Sequence, residues 1–236
     1  MRVNYLQLSN ILSFKYEEDI NNAFKIEFDP DLNIIIGGNG SGKSTALEAM
    51  NFVFTRVLFK YCEVRDYNFS LLGEARRSSL EIDNQSNNIS GLRLQPNWNS
   101  ESKLQSIRIS FTLDDIDKAN MSHIANNYTH IKNIFEEYSY IELPIDFMPI
   151  NGDTNIVIDV ILNYKKSTYD VKYTSSTSDS VQFYLEYYQA INEAITIHNN
   201  EHADHIKPLG STFSMLSAFR NYNTFSLQTS LRSNPT

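Results

Sequence analysis

Residues 33–50 read NIIIGGNGSGKSTALEAM. Ile34, Ile35 and Ile36 are consecutive, β-branched and closed off by glycine. That pattern predicts a short strand buried on both faces, as in a parallel sheet. Gly37, Gly38, Gly40 and Gly42 follow, and the run from Gly37 through Gly42, Lys43 and Ser44 fits G-x-x-x-x-G-K-[ST], the P-loop pattern. The chemistry asks for these types. Glycines let the backbone turn tightly and approach an anion. The N–H groups around Asn39, Gly40 and Ser41 then point into one concavity that cradles phosphate oxygens. A helix opening at Lys43 adds its positive end. Lys43 is the expected contact to the β- and γ-phosphates and Ser44 the expected Mg2+ ligand. Thr45 is placed to donate toward the α-phosphate. A chance match in a glycine-rich turn would not carry a strand signal before it and a helix signal after it.

That helix should run to about Lys60. Ala46, Leu47, Met50, Phe52, Val53, Phe54, Val57 and Leu58 cover most of its circumference, which predicts burial between two layers. Upstream, residues 3–8 (VNYLQL) read as a strand. Phe24, Ile26 and Phe28 alternate with Lys25, Glu27 and Asp29 in a second strand with one wet face, and Pro30 and Asp31 turn the chain. Downstream, 64–103 is rich in Ser, Asn and Gln and reads as a long loop or insertion with room for a short strand or two. Residues 106–115 (SIRISFTLDD) read as a strand ended by Asp114 and Asp115, which can cap a helix running to about Tyr138. Residues 155–166 and 168–174 suggest a hairpin turned near Lys165–Ser167. A further helix is expected from about Ser180 to His205, broken by Pro208 and Gly210.

The chain has 236 residues, 41% hydrophobic and 20% charged, ordinary values for a globular protein. The net charge of −8 argues against general nucleic-acid binding through the overall field. A single cysteine, Cys62, excludes an intramolecular disulfide. With no leader pattern and no 18-residue apolar run, the expectation is a cytoplasmic chain that does not enter a membrane.

The opening phrase, LQLSNILSFKYEEDINNAFKIEFDPDLNIIIG, and the loop GGNGSGKST together resemble the N-terminal part of ABC-type ATPases that act on DNA. These are the structural-maintenance-of-chromosomes (SMC) proteins, RecF and the OLD (overcoming lysogenization defect) nucleases. The likeness is specific over about residues 1–60 and loose over 100–205. It implies an α/β P-loop NTPase fold, the N-terminal lobe of an ABC-type head, with an antiparallel β-subdomain and helical insertions. It implies ATP and Mg2+ as cofactors and a first-loop contact to nucleotide, for which Phe14 and Lys15 are the candidates. Heads of this group pair as homodimers or higher oligomers, and the full-length proteins work on DNA or with an effector partner. On this reading 1–236 is one segment: 1–62 holds the strands, P-loop and first helix, 63–205 the β-subdomain and helical insertion, and 206–236 a tail leading to a missing C-terminal half.

The group's signature motif and Walker B strand are not evident. The nearest match to Walker B is Ile156-Val157-Ile158-Asp159, with Val160 where the glutamate belongs. A hairpin strand explains that alternation as well. Gln95 and Gln182 are poorly placed for the group's metal-contacting glutamine.

Other constellations are weaker. His198, Glu201, His202 and His205 share a predicted helix face, and histidines at i, i+4 can hold a metal, but a solvated polar face is the plainer reading. His123 and His130 are treated alike. Arg76–Arg77 and Lys165–Lys166 read as surface pairs, and Arg220 as a candidate interface contact. Phe183, Tyr184, Tyr187 and Tyr188 read as packing rather than a base-stacking platform. A signalling GTPase is excluded by the lack of N-K-x-D. A small-metabolite kinase has only SLLGEARRSS as a faint lid. What remains is an ATPase head, or an ATP-gated interaction module with little turnover.

Overall fold

A computed structural model describes residues 1–60, 62–67, 77–82, 89, 92–144, 146–150, 154–174 and 177–212. The sheet at its centre has the order β2–β1–β5–β6–β7, every neighbouring pair antiparallel. Its strands are β1 (Arg2–Ser9), β2 (Phe24–Glu27), β5 (Gln105–Thr112), β6 (Asn155–Asn163) and β7 (Thr168–Tyr173). A separate hairpin pairs β3 (Cys62–Tyr67) with β4 (Arg77–Ile82). The helices are α1 (Lys43–Phe52), α2 (Asp115–Asn126), α3 (Tyr128–Tyr138) and α4 (Asp179–Glu201).

Period-two alternation builds the sheet. In β6, Ile156, Ile158, Val160 and Leu162 are buried while Val157, Asp159 and Ile161 between them are half-buried. Leu6 and Leu8 of β1 and Ile107, Ile109 and Phe111 of β5 join the same apolar face. A fully buried side chain of this kind stabilises by about 1.5–3 kcal/mol. The opposite face carries polar pairs. Arg108 grips Asp159 across β5 and β6 through Nε–Oδ1 (2.5 Å) and a second guanidinium N–H to Oδ2 (2.8 Å). Asn4 donates to Ser110, Thr112 and Asn155. The expected strands 3–8, 106–115 and the 155–174 hairpin all form, the hairpin turning at Ser167 with φ 53°.

The expected buried strand at 33–36 does not form. Residues 32–38 carry no regular structure, and Leu32, Ile34 and Ile36 are 79%, 73% and 88% exposed. A strand needs a neighbour for its backbone groups, and no described strand pairs with this segment. The parallel sheet inferred from the isoleucines is thus replaced, among the described residues, by an antiparallel one. Asn33 holds the entry to this segment: its side chain accepts from the Asp29 N–H and donates to the Asp29 carbonyl.

Three expected helices change shape. The one from Lys43 is α-helical only to Phe52, then widens into a π-helical turn over Val53–Leu58, closed by the Phe59 N–H on the Phe54 carbonyl. Its circumference is largely buried as expected, but Leu47 is 40% exposed and Met50 half-buried. The stretch after Asp114 is two helices, broken at Asn127. Asp114 does cap the first, in a reciprocal capping box with Asp117. The Met1 ammonium sits over this cap, paired with Asp114 and, at 2.9 Å, with Asp117. The last helix ends at Glu201, so His205 leaves the face it was expected to share. The packing reading of the aromatic cluster holds for Phe183 and Tyr184, which are 7% and 0% exposed. Arg76, the Arg77 side chain, Arg220 and most of SLLGEARRSS lie outside the described residues. Lys165 and Lys166 are exposed on the β6–β7 turn.

Candidate functional site

The glycine loop leads into α1. Gly42 is its N-cap at φ 90°, ψ 5°, and Gly40 lies at φ 78°, both in the left-handed region that suits glycine. The Ser41 N–H turns back to the Gly38 carbonyl at 3.3 Å, and the Ala46 N–H makes the first helical bond to the Gly42 carbonyl at 2.9 Å. The first N–H groups of a helix have no intrahelical partner, so those of Lys43, Ser44 and Thr45 sit at the positive end of α1.

Lys43 closes the loop on itself. Its ammonium donates to the carbonyls of Gly37 at 2.6 Å and Gly38 at 2.7 Å. The cation therefore lies over the mouth of the turn, where an anion would meet it. Asn39, Gly40 and Ser41 are exposed on the rim, as is Ser44, while Thr45 is 8% exposed. A Cβ at Gly37 would stand 2.6 Å from the Ser41 hydroxyl, so the turn is tight as well as open.

The first loop of the chain supports this cradle. Asn10 (φ 58°) is fully buried, and its amide donates to the carbonyls of Ser100, Lys103 and Leu104. That anchors the bend from which Ser13 and Phe14 reach the P-loop. The Ser13 hydroxyl donates to the Gly40 carbonyl at 3.0 Å. Phe14 is 6% exposed and stacks on Phe24, ring centroids 4.6 Å apart, with its ring edge under Gly42. Its role here is to shape the loop from below, which the sequence pattern did not separate from a contact to nucleotide. Lys15 is exposed, and its carbonyl accepts from the Asn10 N–H.

The other candidates fall elsewhere. Asp159 is committed to Arg108 on the polar face of the sheet, and Arg108 is also bonded to Asn21. It is a sheet residue, not a free acid poised for a metal. His123 bonds the Lys207 carbonyl through Nε2. His198 is buried at 6% exposure rather than solvated, contrary to the polar-face reading. Beside the P-loop, a groove of about 310 Å³ is lined by Val3, Phe28, Pro30, Leu47, Met50 and Phe54, with Arg2, Asp29, Asp31 and Asn33 at its polar positions.

The residues present suit a nucleoside triphosphate with Mg2+: a cradle of left-handed glycines, a helix N-terminus, an ammonium over the mouth and an exposed hydroxyl one residue on. No helix among the described residues is long and apolar enough to cross a membrane. Neither the curated proteins nor the solved structures provide a match. Among the protein families, the AAA domain matches residues 5–231.

Proposed function

Because the chain belongs to the AAA domain family of P-loop ATPases, we propose that its loop binds ATP with Mg2+ as part of an ABC-type head of the SMC/RecF/OLD kind. Lys43 would leave the Gly37 and Gly38 carbonyls to hold the β- and γ-phosphates. The amides from Gly40 to Thr45 would receive phosphate oxygens, and Ser44 would hold Mg2+. The ion would neutralise charge on the transferring phosphoryl group. The observation that carries the reading is the Lys43 ammonium, 2.6 Å from its own loop's carbonyl at the N-terminus of α1.

The ABC-type assignment draws support from the first loop, since the same phrase that resembles the group places Ser13 and Phe14 against Gly40 and Gly42. Leu32, Ile34 and Ile36 just before the glycine loop, and Leu47 in α1 just after it, are exposed apolar side chains that a second half or a second head would cover. On this reading closure of paired heads completes the site, and the process served is DNA repair or defence against phage. A second reading is an ATP-gated module that controls an effector with little turnover. It is favoured by Asp159 being held by Arg108, which leaves no catalytic acid assigned among the described residues.

Calorimetry of Mg2+–ATP with the chain and with Lys43→Ala, followed by light scattering, tests the proposal. Binding weakened at least about tenfold in the variant, with a doubling of mass on ATP, is the expected result. Binding at constant mass with negligible turnover selects the gated module. Equal affinity in the variant would remove the P-loop assignment.

A further inference from the structure

The end of α4 carries a second constellation, more than 150 residues from the P-loop in sequence. His198 lies in the last turn of α4, and the chain then doubles back through His202 and Asp204. α3 packs against α4 and brings His130 from its first turn. Three elements thus converge on one spot. His198 Nε2 lies 3.3 Å from Asp204 Oδ1, and His130 Nε2 lies 3.7 Å from Asp204 Oδ2. The His130 and His198 rings stand nearly perpendicular with centroids 5.7 Å apart. The His202 ring stacks on His198 at 4.5 Å.

We propose that His130, His198 and Asp204 form a binding site for a divalent transition ion of the zinc type, with His202 and Glu137 as the adjoining donors. The donor atoms of His130, His198 and Asp204 all lie within 4.8 Å of one another, as do those of Glu137, His198 and His202, and both sets share His198. Bonds of about 2.0–2.2 Å at tetrahedral angles put ligand atoms roughly 3.3–3.6 Å apart. The 3.3 Å between His198 Nε2 and Asp204 Oδ1 is at that spacing and the 3.7 Å between His130 Nε2 and Oδ2 lies just beyond it; both are long for charge-assisted hydrogen bonds.

The second observation is independent of spacing. His198 is 94% buried by its 6% exposure, and its Nδ1 has no hydrogen-bond partner. That leaves Nδ1 open to a donor or an ion on its own side of the ring, while Nε2, 3.3 Å from both Asp204 Oδ1 and the Asp204 backbone carbonyl, is the nitrogen that faces Asp204. A groove of about 410 Å³, lined by Thr129, His130, Asn133, Glu137 and His198, opens onto the cluster and gives an ion a way in. Two imidazoles with a carboxylate suit zinc and its neighbours rather than Mg2+ or Ca2+.

The ion would clamp the return segment. That segment is otherwise held by hydrogen bonds: Asn199 brackets Ile206 through both its side-chain atoms, Asn192 accepts from the Leu209 N–H, Asn120 brackets Gly210, the Tyr188 hydroxyl donates to the Gly210 carbonyl, and His123 bonds the Lys207 carbonyl. A ligand from α3, one from α4 and one from the segment would lock all three together, in the manner of a structural metal.

The test uses the full chain with any affinity tag removed, titrated with Co2+ alone and then displaced by Zn2+ alone. One equivalent should bind with visible bands of a four-coordinate Co2+ centre, and Zn2+ should erase them. His130→Ala and Asp204→Asn, both exposed positions that leave the core intact, should each weaken binding about tenfold or more. His123→Ala and His205→Ala should leave it unchanged. Zn2+ should also raise the melting temperature of the native chain, and the two weakened variants should lose that rise. The proposal fails if no saturable equivalent binds, if binding survives in both ligand variants, or if His205→Ala weakens it equally. It fails too if the Co2+ spectrum shows a thiolate band, which would place the ion on Cys62.

Discussion

Gly42→Ala is the most informative single change near the P-loop. Two separate penalties meet there. The first is conformational: φ of 90° is left-handed, and a Cβ there costs about 1–2 kcal/mol. The second is steric. The new Cβ would stand 2.6 Å from Phe14 Cζ and 3.1–3.2 Å from the two Cε atoms. Phe14 cannot swing away freely, because it is 6% exposed and stacked on Phe24. Forcing a methyl against such a ring costs about 1–3 kcal/mol. The variant should therefore lose about 2–5 kcal/mol, a large share of the roughly 5–15 kcal/mol available to a domain. The assay is urea denaturation of four chains: the parent, Gly42→Ala, Phe14→Ala and the double variant. Truncating Phe14 removes the steric part only, so Gly42→Ala on that background should cost about 1–2 kcal/mol. The coupling energy should be about 1–3 kcal/mol. If Gly42→Ala costs under about 1 kcal/mol, or its cost is the same with and without the Phe14 ring, the account of Phe14 as the floor of the loop is wrong.

Three further outcomes follow from the geometry. Asp159→Asn should lower stability by about 1–2 kcal/mol through the weakened Arg108 pair, yet leave Mg2+–ATP affinity unchanged in calorimetry; a loss of Mg2+-dependent binding would restore it as a metal acid. Tyr184→Phe should cost about 1–2 kcal/mol in thermal unfolding, since its buried hydroxyl donates to Asp117 at 3.0 Å and accepts from Asn120 at 3.1 Å; a neutral change would refute that network. Burial, reinforced by the charge of Glu193, pushes the Cys62 thiol from 9.0 up to about 12. At pH 8 the thiolate fraction then falls by about a thousandfold, so iodoacetamide should label the half-buried Cys62 slowly, and faster as pH rises; labelling at the rate of a free thiol would refute the raised pKa.

Local signals in this chain were legible where the partner was also local. β6 and β7 could be read because alternation and turn lie within twenty residues of each other. Asp114 could be read as a cap because its partners are the next three residues. The P-loop was legible because its function is written in its own backbone types. Residues 33–36 were not. Three isoleucines state that a segment wants cover, and the sequence of that segment cannot state where the cover comes from. The break at Asn127 was missed because helical spacing continues across it. His198 was misread for a related reason: its exposure is decided by α3 and by the chain's return through Asp204, which no helical wheel contains. The one available signal was the recurrence of histidine and carboxylate at 130, 198, 202 and 204. The role of Phe14 was half legible, since its aromatic character was noted but its position beneath Gly42 depends on the bend at Asn10.

The exposed turn at Asn39 has a chemical consequence that concerns time rather than structure. Asn39 is followed by Gly40, which has no Cβ to shield its backbone nitrogen. Such a nitrogen can attack the preceding side-chain amide, expel ammonia and leave aspartate or isoaspartate on hydrolysis. That ageing reaction speeds up with alkaline storage. It would set a negative charge on the rim of a cradle built for phosphate, and isoaspartate would lengthen the turn that Ser13 braces through the Gly40 carbonyl. Old preparations should thus fall into two populations of unequal nucleotide affinity, separable by their charge, with the change confined to the peptide that spans Asn39.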